Sequence, residues 1–259
     1  GSFAALHQYA MRILLLPGVD SASASPAAGM IAGCAESAPS TAAATILEAL
    51  KEAREKRAEF ALAAAMRGVM QRCKPETVLG PSHSASGDRT LLRFLAREIV
   101  RSCKAPGQQH RINGFRALDG LLQQVSKGDI DASASAELVN EVDSLENVAM
   151  QLVWDQWELA TSSIAPVLTS IFKRLIALRG SRFGGAGSTK GPPPWLLELL
   201  PWIKALPLSR KCRHRSLSAM LPLIPGGAQT LLDAWPTLWT EVFTSINLNR
   251  DQAPTYSGS

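Results

Sequence analysis

The residues with the most chemical potential are the seven from 209 to 215: Ser209, Arg210, Lys211, Cys212, Arg213, His214 and Arg215. They lead into Leu217, Met220, Leu221 and Ile224, spaced i, i+3, i+4, i+7, so the segment reads as a helix with one buried face. On that reading Arg210, Lys211, Arg213, His214 and Arg215 project from its first turns. Bases at a helix N-terminus oppose the macrodipole by a few tenths of a kcal/mol each, so they do not stabilise the helix. An anion docked there would meet both the side chains and the free backbone N–H groups, which makes the five an expected anion or partner site. The plainer alternative is a solvated basic turn, or one ion-paired with acids elsewhere in the chain.

Few other residues offer chemistry. His7, His83, His110 and His214 lie on separate segments, with no HxxxH or HExxH spacing, and Cys34, Cys73, Cys103 and Cys212 are tens of residues apart. No metal site is expected from such spacing. The glycine-rich stretch 180–191 contains Lys190, but no strand precedes it and three prolines follow where a phosphate-binding helix would open. No GxSxG elbow occurs either, and Asp129 and Asp131 read as turn residues. The expectation is therefore a non-catalytic chain with no cofactor. Six tryptophans fall in pairs, Trp154/Trp157, Trp195/Trp202 and Trp235/Trp239, near predicted helix ends, which suits packing between helices better than base stacking.

Charge is unevenly placed. The whole chain of 259 residues carries +5, from 27 Lys and Arg against 22 Asp and Glu. Between 128 and 172 there are eight acids and no Lys or Arg, whereas 179–215 holds eight bases against Glu198 alone, a net +7. An anionic partner, such as a nucleic acid or an acidic peptide, belongs with the second block. The sparse cysteines suit a reduced, intracellular protein, and no apolar run approaches the roughly 20 residues that cross a bilayer. The chain opens on Gly1-Ser2 and enters a helical pattern at Phe3, as a segment of something longer would.

The elements that must hold the basic turn are helical. Apolar residues recur at helical spacing over 3–16, 41–74, 89–103, 109–125, 134–153, 164–178, 194–206, 209–223 and 229–246, with 41–74 being one long helix or two joined by a solvated turn. Arg93, Arg97 and Arg101, four apart, form a basic stripe on the helix that Asp88 is placed to cap. No sustained alternation supports a sheet. The predicted organisation is a terminal helix at 1–17, a flexible Ser/Ala/Pro-rich linker at 18–40 and a helical repeat segment at 41–179. A Gly/Pro-rich loop at 180–194, a second repeat segment with the basic helix start at 195–247 and a tail at 248–259 complete it. Helix pairs starting near 88, 134 and 194 have roughly the repeat length of HEAT or armadillo units. The predicted fold is all-α, an α-solenoid segment of antiparallel pairs, with a compact helical bundle as the alternative.

Two stretches carry a family likeness. The basic run from Ser209 to Arg215, with Leu217, Leu221, Pro222, Gly227, Ala228, Leu231 and Leu232 after it, resembles a segment of the thyroid adenoma-associated protein (THADA) family. Upstream, Trp154-Asp155-Gln156-Trp157-Glu158 leading to Ile171-Phe172-Lys173-Arg174-Leu175 is similar to that family's Trp-x-x-Trp-Glu segment before an Ile-Phe-x-x-Leu helix. Cys212 stands where the pattern has Gly, His214 where it has an aromatic, and four residues rather than two separate Pro222 from Gly227. The resemblance covers 153–239. It implies a large cytoplasmic α-solenoid, the non-catalytic partner of a SAM-dependent ribose 2′-O-methyltransferase acting on the tRNA anticodon loop. It also implies that Arg210, Lys211, Arg213 and Arg215 contact tRNA phosphate or the partner subunit. The alternative function is a HEAT-like scaffold binding an acidic peptide or partner protein.

Overall fold

The computed structural model describes residues 2–56, 59–80, 89–128, 130, 134–159, 163–182, 192–205, 211–238 and 240. Among them the secondary structure is helical throughout: α1 Ser2–Leu14, α2 Ser21–Ala35, α3 Pro39–Glu55, α4 Glu59–Arg72, α5 Pro75–Leu79, α6 Thr90–Cys103, α7 Gln108–Lys127, α8 Ala136–Leu159, α9 Ala165–Arg182, α10 Pro194–Ala205, α11 Lys211–Met220 and α12 Gly227–Ala234. A 3-10 turn, Leu221–Leu223, follows α11. No described helix is long and apolar enough to cross a membrane. The helices divide into two compact units, Gly1–Val153 with Ser162–Arg174, and Trp154–Thr161 with Leu175–Ser259.

In the first unit α2 packs on α1, α3 and α4, α4 packs on α7, and α7 packs on α6, while α3 and α6 also touch. The amphipathic helices behave as their spacing requires. Leu91, Leu92, Leu95 and Ile99 of α6 are buried, as are Ile112, Phe115, Leu118, Leu121 and Leu122 of α7. Each such side chain contributes about 1.5–3 kcal/mol through removal from water. Polar side chains tie helix ends together: Asn113 Nδ2 donates to Ser21 Oγ at 2.9 Å, and Gln124 Nε2 donates to the carbonyl of Met70 near the end of α4. The stretch 41–74 is two helices, broken after Glu55.

One expectation is overturned. The 18–40 stretch is no flexible linker: it forms α2 and the start of α3, joined by 36–38. Asp20 caps α2 by accepting from Ser23 N at 2.7 Å, and Ala24, Ala27, Ala28, Ile31, Ala32 and Ala35 are buried. Small side chains have little apolar mass, but they let backbones approach closely. At Gly68 of α4, a Cβ would lie 1.9 Å from the carbonyl oxygen of Ser25 in α2, so α4 meets α2 backbone to backbone. Dispersion at that distance supplies what bulky side chains would otherwise supply.

The second unit contains the end of α8, the end of α9, and α10 to α12. Its core is aromatic: Trp154, Trp157, Trp195 and Trp235 are buried with Leu196, Leu199, Leu200 and Ile203. Trp154 and Trp157 lie inside α8, which runs on past the predicted end at 153. The predicted helix 229–246 is interrupted: α12 stops at Ala234, with Gly226 at φ 76 opening it and Trp235 at φ −140 closing it, and 241–246 lie outside the described residues. Asp88, Asp129, Asp131, 183–191 of the Gly/Pro-rich loop and the 248–259 tail lie outside the described residues.

Candidate functional site

Helix α11 carries the predicted site. Arg210 lies outside the described residues, and Lys211 is the first residue of the helix. The remaining three do not all project into solvent, which corrects the expectation. His214 is exposed, but Arg213 is only 4% exposed, its guanidinium 4.7 Å from the centroid of the Trp235 ring. Arg215 is half-buried and donates from Nη1 to the carbonyl oxygen of Trp157 at 2.8 Å.

The physical reason is helical phase. Arg213, Ser216 and Met220 occur at i, i+3, i+7, and all three are buried, so the inward face of α11 includes the first arginine. Leu217, assigned to that face from sequence, is half-buried, and Leu221 is exposed. A guanidinium tolerates this position because it is weakly hydrated and stacks on an aromatic face, an interaction worth up to about 2 kcal/mol when desolvated. Arg215 has a separate task. The last four carbonyls of a helix lack intrahelical partners, and Trp157 lies two residues before the end of α8. Arg215 therefore caps α8, while Ser216 Oγ accepts from Trp154 Nε1 at 3.1 Å and fixes the neighbouring turn.

Two residues of the site escaped the sequence. Lys204, exposed on α10, places Nζ 5.0 Å from the same Trp235 ring, so two cations converge on one indole. Their order in the chain gives no hint of this, because the ring arrives from α12, more than twenty residues after Arg213. Elsewhere in the basic block Arg179 pairs with Glu198 at 2.7 Å.

The acidic block is partly neutralised by α6. Arg89, buried, pairs with Glu137 at 2.7 Å and donates to Ser135 Oγ, and Arg93 binds both Glu137 and Glu141. The hydrogen bond to Glu141 is the chief reason the Arg93 guanidinium holds its proton above the ordinary range. Farther along α6, buried Glu98 takes Arg97 at 3.2 Å and Arg54 of α3 at 3.4 Å on one oxygen, with Arg101 at 3.9 Å from the other. The predicted stripe of Arg93, Arg97 and Arg101 is present and exposed, although bound to these acids.

Among the described residues no group of three or more His, Cys, Asp and Glu side chains could hold a metal ion. Burial pushes the Cys73 thiol up to about 12, with Glu36 adding to it, and burial likewise raises Cys103, so neither is a thiolate nucleophile at neutral pH. Compared with family models, curated proteins and solved structures, the chain matches none.

Proposed function

We propose that this chain is a segment of a HEAT-like α-solenoid that serves as the non-catalytic scaffold of a tRNA ribose 2′-O-methyltransferase. The observation that carries the solenoid reading is the order of neighbours in the first unit. Helices α2, α4 and α7 succeed one another in one row, and α3 and α6 in a second. The rows extend through Asp119 of α7 to Ser170 and Arg174 of α9, at 3.2 and 3.1 Å, and through Arg93 of α6 to Glu141 of α8. Alternate helices of successive pairs therefore line up, as in stacked helical repeats.

The tRNA step rests on the family resemblance, and the geometry sharpens it. Arg213 and Arg215 act as positioning residues that hold α11 against Trp235 and the end of α8. Contact with phosphate then falls to Arg210, Lys211, His214 and Lys204. Binding of the chain to tRNA, alone and with its methyltransferase, is to be measured against salt. Replacing Arg210 and Lys211 by Ala should lower the slope of log affinity against log salt by about 2, since each phosphate contact contributes about 0.9. An unchanged slope with full affinity would remove the site assignment.

A further inference from the structure

We propose that the groove between α6 and α8 docks an amphipathic helix of a partner protein, with apolar anchors on its inner face and carboxylates along one edge. The surface lies within the first unit and does not depend on the tRNA reading. The groove holds about 360 Å³, in the range of genuine binding clefts. Its floor is apolar: Leu92, Ala96 and Val100 from α6, Leu145 and Val148 from α8. Val148 is one of the exposed large apolar residues, at 38%, and it lines this groove.

Charge selects the partner. Arg97 lines the groove with a side chain 67% exposed, poised over the Phe94 ring at 5.9 Å. It shares one oxygen of Glu98 with Arg54, and Arg101 reaches the other, so three cations answer to a single buried carboxylate. Of the other polar lining residues Ser144 is uncharged, and Arg93 and Glu141 already pair with each other. The rim is thus positive at Arg97, and an incoming carboxylate there completes the balance. A nucleic-acid backbone would satisfy Arg97 but gains nothing from five apolar lining residues, whereas a helix laid in a groove uses both features.

The probe is a fluorescein-labelled peptide of about four helical turns. It carries leucines at i, i+3, i+4 and i+7 and glutamates flanking them, and is titrated by polarisation into the full chain. Saturable binding is expected, weakened about tenfold or more by Val148→Asp and by Arg97→Glu. The Arg97→Glu loss should be recovered by a peptide whose flanking glutamates are arginines. Both side chains are exposed, and far-UV circular dichroism checks that the variants keep their helices; should Val148→Asp lose them, the charge reversal at Arg97 decides alone. The proposal is overturned by no saturable binding, by binding indifferent to Arg97→Glu, by failure of the reversed peptide to recover it, or by polyuridylate competing as well as the unlabelled peptide.

Discussion

Replacing Gly68 by Ala adds one methyl group where α4 crosses α2. The new Cβ would lie 1.9 Å from the carbonyl oxygen of Ser25, 2.8 Å from its carbon and 3.0 Å from its Cα. Ordinary contact begins near 3.4 Å, so the methyl is too close by about 1.5 Å, and every obstructing atom is backbone that no rotamer change can move. The helices must part. Overpacking of this kind costs about 1–3 kcal/mol, and a gap of about 0.5–1 Å along the seam where α2 packs on α4 forfeits about a quarter to a half of each contact's attraction. Against this, Ala is a better helix former than Gly by about 1 kcal/mol. The strain outweighs that gain, and a net loss of about 2 kcal/mol or more is expected. Gly33, also on α2, provides the control: nothing lies within 4 Å of its added Cβ, so Gly33→Ala should stabilise by up to about 1 kcal/mol. Urea unfolding followed by circular dichroism measures both, with m expected to be unchanged. A Gly68→Ala variant as stable as the parent would mean that α2 does not dock on α4 and that 18–40 is the linker its composition suggests.

Other consequences are equally direct. In a Cys212→Ser background, iodoacetamide at neutral pH should modify Cys34 long before the buried Cys73, whose thiol sits at about 12, or the buried Cys103; comparable rates at all three would contradict their burial. Bonds from Ser23, its side chain first, hold the Asp20 carboxyl below its ordinary value of 3.8. Stability from Asp20 is therefore present above that value and lost as pH falls through the folded one, so the Tm difference between Asp20→Asn and the parent should be present near about pH 7 and shrink on acidification. Arg89→Ala removes a buried guanidinium from Ser135 and from Glu137, which is partly exposed and keeps Arg93, and should cost about 1.5–3 kcal/mol in thermal unfolding, whereas a loss under about 1 kcal/mol would mark the pair as a surface one.

What the sequence disclosed follows from where the information lies. Helices α6 and α7 were legible almost to the residue because their large apolar side chains recur at helical spacing and all face inward. Helix α2 was not, because its stability comes from Gly68, 43 residues after Ser25, and a missing Cβ leaves no mark in local composition. The division of 41–74 could be posed from its charged middle but not decided, since the break after Glu55 has no proline or glycine to announce it. At the candidate site, the charges were visible and their directions were not. Arg213 looks like one base in a solvated run until its phase with Ser216 and Met220 is counted, and Trp235, which receives it, belongs to a helix end farther along the chain. Arg93 was placed correctly on an exposed stripe, yet its acids lie on α8, beyond the reach of local patterning.

Methylation of a tRNA anticodon stem-loop by the cognate ribose methyltransferase, with SAM and with or without this protein, bears on the scaffold reading most directly. Methyl transfer at the 2′-hydroxyl is expected only when both proteins are present, with a reduced rate for the Arg210→Ala, Lys211→Ala variant. Equal methylation by the enzyme alone, or full stimulation by that variant, would contradict that reading.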